Sequence, residues 1–543
     1  MTKLTPIQRL WRLLKLYKPE IRQIYTYALV IGIVNLSLPL GIQAIINYLQ
    51  TGELSISWVL LVTIVLVGIT AAGLLQVLQL RIVENIQQDI FARSAFEFAF
   101  RLPQIKPREL DSQHAPELAN RFFDTMTIQK GLPKLLIDLS VSSFQIIFGI
   151  ILLSVYSIYF IALGLILGFA LFVLVKITGR IGLETSIKES KYKYNLAHWL
   201  EEIGRVRRTF HLSQNQSFHL NKSDDITVDY ITSRESHFRV LLDQFKSFVG
   251  FKVFIAAGIL VVGGLLVFNQ QMNIGQFVAA EIVIILIINS VEKLVSVWDN
   301  VYDVLTAFEK IGFVTDMELQ DSAGKSKINK NGPCSIKLKN ATFHYSTDNE
   351  PIIDNYNLEI PNQSRVVLTG KTGSGKSTLL QILAGIINLD KGEISINDIS
   401  YDHLDRKSLH QNLGVVLASN QIFEGTLREN ILVGRQIPDE KLMDMMTKLG
   451  MNDFLKSHSK GLDLILDSGG RRTPRCIIQK IHLARAICHN PGLLLMEDPL
   501  VNIPKEERKS IIEFLTDKAH QWTLIVITDE DDWIANSTQI IKL

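Results

Sequence analysis

The sequence is short of cysteine and of charge. Three cysteines occur, Cys334, Cys476 and Cys488, and none precedes residue 334. Their spacing fits neither a disulfide framework nor a zinc site, so they read as isolated thiols of a reducing compartment. Charged residues make up 20% against 47% apolar, with a formal net charge of +2. Bulk charge therefore gives no attraction to a polyanion. No basic patch with interleaved aromatics is present, which argues against a nucleic-acid partner. No cleavable signal peptide is expected, because the basic residues 1–22 lead into an apolar stretch longer than the about 7–15 residues of a signal core.

What is abundant is uncharged apolar sequence. Residues 23–52 and 54–80 carry no charge and only Glu53 separates them; residues 139–175 form a third such run. The stretch 253–291 holds one charge, Glu281, and a polar turn at Asn269–Asn273. A spanning helix needs about 20 apolar residues, so these stretches predict six spans grouped two, two and two. The fold in 139–175 is expected near Ser154–Ser157. The three turns at the outer ends contain no Lys or Arg, whereas the N-terminal arm and segments 81–138 and 176–252 are rich in both. The positive-inside rule then puts those segments and both termini in the cytosol. Runs such as Glu84–Phe100 and Leu183–Phe210 favour helix, so the spans are expected to continue far beyond the membrane. Asn35, Pro39, Gln76, Gln145 and Glu281 are the polar or breaking residues inside the spans. Glu281, the ionisable one, is the candidate for a translocation path, with a structural hydrogen bond as the alternative.

The composition changes after residue 293 to that of a soluble α/β domain. Asp321–Pro333, with Gly324, Asn329, Asn331 and Gly332, reads as a linker. Ser335–Phe343 alternates as a strand does, and Ser364–Thr369 is a short buried-strand pattern. The run Gly370-Lys371-Thr372-Gly373-Ser374-Gly375-Lys376-Ser377-Thr378 follows. It fits the phosphate-binding loop pattern G-x-x-x-x-G-K-[ST], between a strand and a helix expected at Lys376–Ile386. Glycines let backbone N–H groups close on phosphate oxygens, and the helix start adds positive potential. Lys376 is placed to reach the β- and γ-phosphates of ATP, and Ser377 to ligate Mg²⁺.

The expected organisation is a multi-domain chain. Residues 1–22 form a basic arm, 23–318 an all-α six-helix membrane domain with cytosolic extensions, 319–334 the linker, and 335–543 an α/β phosphate-loop domain. The order of six spans, linker, Tyr345, phosphate loop, Gly425-Thr426-Leu427-Arg428-Glu429-Asn430-Ile431 and Leu483-Ala484-Arg485-Ala486 resembles ABC exporters over nearly the whole chain. The membrane half resembles the exporters of type I protein secretion, although the chain has neither room nor a cysteine for the N-terminal peptidase of some relatives. The resemblance implies that Tyr345 stacks on adenine. It implies a dimer in which each ATP lies between one chain's phosphate loop and the other's signature motif. It also implies a bacterial inner-membrane location and a periplasmic adaptor as a partner.

Against that family's pattern, several positions depart. The signature L-S-G-G-Q falls at Thr473-Pro474-Arg475-Cys476-Ile477, and none of its residues is kept. The Asp-Glu pair after the family's Walker B strand falls at Glu497-Asp498. Glu497 retains a carboxylate for Mg²⁺, whereas Asp498, at the position of the catalytic base, is one methylene short. The γ-phosphate-sensing glutamine is replaced by Ala418 and the histidine after the last core strand by Asp529. The loop ending in Asp after Walker B reads Val501-Asn502-Ile503-Pro504. Losses fall on both faces of the nucleotide sandwich, so an intact heteromeric partner would restore neither site, and a homodimer is favoured. The expected function is an ATP-binding, transporter-like membrane protein with weak or absent hydrolysis. The alternatives are a working ATP-driven exporter, which the Asp498 carboxylate keeps open, and a membrane scaffold or regulatory subunit.

Overall fold

The computed structural model describes residues 4–51, 56–110, 115–213, 217–320, 324–329, 332–345, 350–419 and 421–543. Glu53 of the first outer turn, and Asn331 with residues 321–323 of the expected linker, lie outside the described residues. The chain divides into two units. The first comprises Met1–Gln104 and Gln113–Met317, and the second Ile105–Ser112 and Glu318–Leu543.

The first unit is helical. Where one helix is predicted over 23–52, there are two, Lys18–Val34 and Ser37–Thr51. Pro39 gives the reason. It has no N–H to donate to the Asn35 carbonyl one turn back, and its ring crowds that carbonyl. The break falls at Asn35, and Pro39 then sits in the first turn of the new helix, where an N–H has no partner to lose. Pro133 has a similar effect. The Gln129 carbonyl that it leaves free accepts from Gln87 Nε2 at 2.8 Å, and Gln129 Nε2 donates to the Gln87 carbonyl at 3.0 Å. The chain then widens into a π turn over Lys134–Asp138 before the helix Leu139–Tyr156.

Four helices are very long: Ile56–Arg101, Tyr159–Arg205, Phe218–Phe268 and Ile274–Thr315. The third has 51 residues, about 77 Å at 1.5 Å per residue, more than twice the about 30 Å of a hydrocarbon core. Runs 81–100 and 176–205 continue their apolar helices without a break, and the Asn269–Asn273 turn joins the last two. That last helix starts with a capping box, in which Asn273 Oδ1 accepts from Gln276 N at 2.7 Å and Gln276 Oε1 from Asn273 N at 3.0 Å. Among the described residues five helices are long and apolar enough to cross a membrane, Lys18–Gln50, Ile56–Gln104, Pro116–Tyr156, Phe218–Phe268 and Ile274–Thr315. The remaining predicted span begins the Tyr159–Arg205 helix. The Ile274–Thr315 helix buries Ala279, Ala280, Val283, Ile284, Ile287, Ile288 and Val291. Ile56–Arg101 instead exposes Val59, Leu60, Ile64, Val67, Leu74 and Val77. A helix whose backbone bonds are internal and whose surface is that apolar belongs in lipid.

The second unit is α/β. A five-stranded parallel sheet has the order Gln539–Lys542, Arg365–Thr369, Thr523–Ile527, Leu493–Glu497, Leu413–Val416. The middle strands are buried at nearly every position, as parallel strands covered on both faces must be. A four-stranded sheet orders Ile353–Ile360, Ile336–Phe343, Lys391–Ile396 and Ile399–Ser400, with antiparallel pairing. Arg365 starts the strand beside the central one and ties the unit together from inside. Its guanidinium donates to the carbonyls of Gln363, Thr516, Asp517, His520 and Trp522 at 2.5–3.4 Å. Ile105–Ser112 belongs to this unit through Lys106, whose N donates to the Glu318 carbonyl at 2.9 Å, and Arg108, which pairs with Asp390 at 2.8 Å.

Candidate nucleotide-binding site

In a parallel sheet the carboxyl ends of the strands open on one edge, and ligands bind there. Four adjacent strands end at that edge here. The phosphate loop follows Arg365–Thr369, Asp529 follows Thr523–Ile527, Glu497 and Asp498 close Leu493–Glu497, and Ala418 follows Leu413–Val416. Strand order thus gathers residues separated by up to 159 positions.

The loop turns on glycine. Gly373 and Gly375 have φ of 85° and 88°, a region where side chains are strained. A Cβ on Gly375 would meet Ile352 Cγ2 at 3.0 Å, while Gly373 faces open space within 4 Å. The helix Lys376–Leu383 starts immediately after. Lys376 Nζ donates back to the carbonyls of Gly370 at 2.6 Å and Lys371 at 2.9 Å, holding the ammonium inside the loop. Ser374 Oγ is buried with no hydrogen-bond partner, so the loop contains one polar atom that a phosphate oxygen would satisfy. Ser377 Oγ donates to Glu497 Oε1, and Glu497 Oε2 accepts from Ala418 N at 3.2 Å. A hydroxyl and a carboxylate in contact beside a phosphate loop fit Mg²⁺, which takes one or two protein oxygens and completes its shell with phosphate and water.

Tyr345 stands beside the loop, 42% exposed, with its hydroxyl 3.2 Å from Thr378 Oγ1. Phe343 meets its ring edge to face at 5.1 Å. A hollow of about 230 Å³ adjoins it, lined among others by Arg108, Phe343, Ile387, Leu389 and Arg406.

Asp498 has φ of 41°, and its N–H is held by the Ile527 carbonyl at 3.0 Å. Its outer side is exposed, yet its carboxyl is pushed above the ordinary range. Desolvation is the largest cause, followed by the charges of Glu497, Asp529 and Glu530, with Lys376 pulling the other way. Around the signature position, Gly469 and Gly470 have positive φ, Pro474 caps, and the helix Arg475–Ile487 starts with an exposed Arg475.

Two contacts escape sequence reasoning. The bond from Ala418 comes from its backbone, so residue identity gives no sign of it. The acidic crowd around Asp498 includes Glu530, which stands next to the Asp529 already singled out. In the first unit, Asn35, Gln76 and Gln145 converge on one cavity of about 590 Å³, together with Asn289, Glu292 and Lys293. Glu281 does not line it. It is exposed on the same helix, eight residues before Asn289.

A family model described as ABC transporter transmembrane region matches residues 24–291, and one described as ABC transporter matches 353–501. In domains and fold the chain is an ABC exporter half-transporter. A solved bacterial Atm1-family ABC exporter with ATP bound is similar to this half-transporter at a TM-score of 0.78. The match covers 97% of this chain and 93% of that one; at 18% identity it carries the fold alone. An uncharacterised ABC transporter ATP-binding protein of Haemophilus influenzae is 33% identical over 39% of this chain. The alpha-hemolysin translocation ATP-binding protein HlyB of Escherichia coli O157:H7 is 27% identical over 52%. The chain covers 38% and 40% of the length of these two curated relatives.

Proposed function

We propose that this half-transporter works as a homodimer in a bacterial inner membrane, both termini cytosolic, and that it binds Mg-ATP while hydrolysing it weakly or not at all. The observation that carries the reading is the setting of Asp498. A general base must be ionised and within reach of its water. Asp498 is one methylene short, and desolvation with the charges of Glu497, Asp529 and Glu530 raises its pKa, which works against the ionised form that a base needs. Asp529 adds negative charge at the position where the family's histidine would donate to a γ-phosphate. On the face toward the second copy, Pro474, Arg475 and Cys476 stand where the signature would offer amides and a hydroxyl.

Binding is supported from the other side of the site. Lys376, the orphan Ser374 Oγ and the glycine turns suit phosphates, Ser377 and Glu497 suit Mg²⁺, and Tyr345 suits adenine. Bound ATP supplies differential affinity for one conformation, and such a shift needs no turnover. Glu281, nearer the outer end of its helix, is our candidate for the outer stretch of a path across the membrane.

A working exporter, akin to type I secretion and served by a periplasmic adaptor, is the second reading. The intact Ser377–Glu497 contact and the likeness to HlyB favour it. The test is phosphate release from Mg-ATP by the protein in lipid, with Lys376→Ala as the blank. Release at the blank's level, with ATP bound, supports the proposal; release well above it supports the exporter.

A further inference from the structure

Two exposed patches of opposite charge flank one loop of the second unit. The first is basic. Arg471, Arg472 and Arg475 are exposed, and among the described residues none of them forms an ion pair. Their backbone is fixed: Arg472 N donates to Asp467 Oδ1 at 3.3 Å, and Thr473 N to the Gly470 carbonyl at 3.0 Å. Arg475 opens a helix of 13 residues that has no side-chain cap, so the helix start adds positive potential there. The second patch is acidic. Asp529, Asp531 and Asp532 are exposed and, among the described residues, also without an ion pair. Glu530 between them is already paired with Arg508. Asp498 belongs to the same patch, since the charges of Asp529 and Glu530 help to push its pKa up.

Residues 501–504 join the two patches. On one side Asn502 Nδ2 donates to Gln479 Oε1 at 3.5 Å, one turn into the helix that Arg475 starts. On the other side Arg508, the partner of Glu530, donates to the carbonyls of Val501 at 3.3 Å and Ile503 at 2.8 Å. Between the patches Val501 is 61% exposed. A polyanion that met the arginines would meet the carboxylates beside them. A second copy has the matching shape of charge. Turned by a two-fold axis through residues 501–504, it brings arginines onto carboxylates twice over, because two-fold contacts are self-complementary. The apolar Val501 then lies at the centre and the charges at the rim, as in other interfaces.

We infer that the nucleotide-binding units of the homodimer close on each other without nucleotide, through Arg471, Arg472 and Arg475 of one copy and Asp529, Asp531 and Asp532 of the other. The family likeness implies ATP as the bridge between phosphate loop and signature. Here arginines stand at the signature position, and fixed protein charges take over that bridge. One exposed pair is weak, whereas several form a network, and complementary patches set the register. Closure then needs neither ATP nor its hydrolysis. This rests on the homodimer proposed above.

The test uses the full chain in lipid nanodiscs, stripped of nucleotide. Cys334, Cys476 and Cys488 are replaced by alanine, and a spin label is placed at Lys518→Cys, an exposed position outside both patches. Double electron–electron resonance then reads the distance between the two copies. The parent should give one short distance at 0.1 M salt, the same with and without Mg-ATP. Closed should exceed open by about tenfold, which is about 1.4 kcal/mol shared among about six weak pairs. At 1 M salt the screening length falls from about 10 Å to about 3 Å, and the distance should lengthen. Arg471→Glu, Arg472→Glu and Arg475→Glu together should open the units. Asp529→Lys, Asp531→Lys and Asp532→Lys together should do the same. All six substitutions combined should restore the short distance. A parent that closes only when Mg-ATP is added overturns the inference. So does a short distance kept in both triple variants, or a combined variant that still binds ATP and stays open. Photobleaching steps count the copies in each disc. Two copies with separated units overturn this inference alone, whereas one copy per disc sinks the homodimer proposal as well.

Discussion

Replacing Asp498 by glutamate separates reach from charge at the catalytic position. The substitution extends the carboxylate by about 1.3 Å, and misplacement by about 1 Å can cost about 100-fold in rate. The neighbours that raise its pKa, Glu497, Asp529 and Glu530, are left in place. If reach is what limits hydrolysis, phosphate release rises by up to about 100-fold. The backbone opposes the change modestly. With φ of 41° at this position, glutamate is less well tolerated than aspartate, costing about 1 kcal/mol. The bond from the residue's N–H to the Ile527 carbonyl survives, so the variant should fold. The assay is phosphate release in lipid nanodiscs, with ATP binding measured on the same sample and Lys376→Ala as blank. The raised pKa adds a second signature. A base must be ionised, so any release that occurs should grow as pH rises beyond the ordinary carboxylate range. An Asp498→Glu rate equal to the parent's, with binding intact, would refute the reasoning about reach.

Arg365→Met should destabilise the second unit by about 3 kcal/mol or more, because several buried carbonyls lose their donor and each unsatisfied group costs about 1–3 kcal/mol; thermal unfolding followed by tryptophan fluorescence measures it. His482 is buried, its Nε2 has no hydrogen-bond partner, and burial ahead of Arg485 lowers its pKa from 6.5 to about 4. The folded state therefore refuses a proton that the unfolded chain accepts. Stability is intact above pH 6.5 and declines as pH falls toward 4, by a total on the order of 3 kcal/mol. His482→Leu should move the acid unfolding midpoint to lower pH, and an unchanged midpoint would count against this residue as the cause.

The sequence made the chemistry of the phosphate loop legible, because spacing, glycine content and the strand and helix around it are all local. The spans were legible for the same reason, since each uncharged run carries its own length. The break at Asn35 was missed although its cause, Pro39, is one turn away; hydropathy alone does not register a lost N–H. What sequence could not give is convergence. Lys106 and Arg108 find Glu318 and Asp390 more than two hundred residues later, and no local pattern ties Ile105–Ser112 to the second unit. Asn35, Gln76 and Gln145 stood out singly as polar residues in spans. Their common cavity with Asn289, Glu292 and Lys293 exists only once the helices pack. Asn289, Lys293 and Ser296 recur at helical spacing on one face, and that stripe was the available signal.

The most direct test of the central claim is the identity of the nucleotide that the protein keeps. The protein in lipid is incubated with labelled Mg-ATP, freed of unbound nucleotide after many minutes, and the bound label is separated by chromatography. Recovery of ATP, absent from Lys376→Ala, is the result predicted for a site that binds and holds. Recovery of ADP, with phosphate released in step, would contradict the account and make this chain a working ATPase.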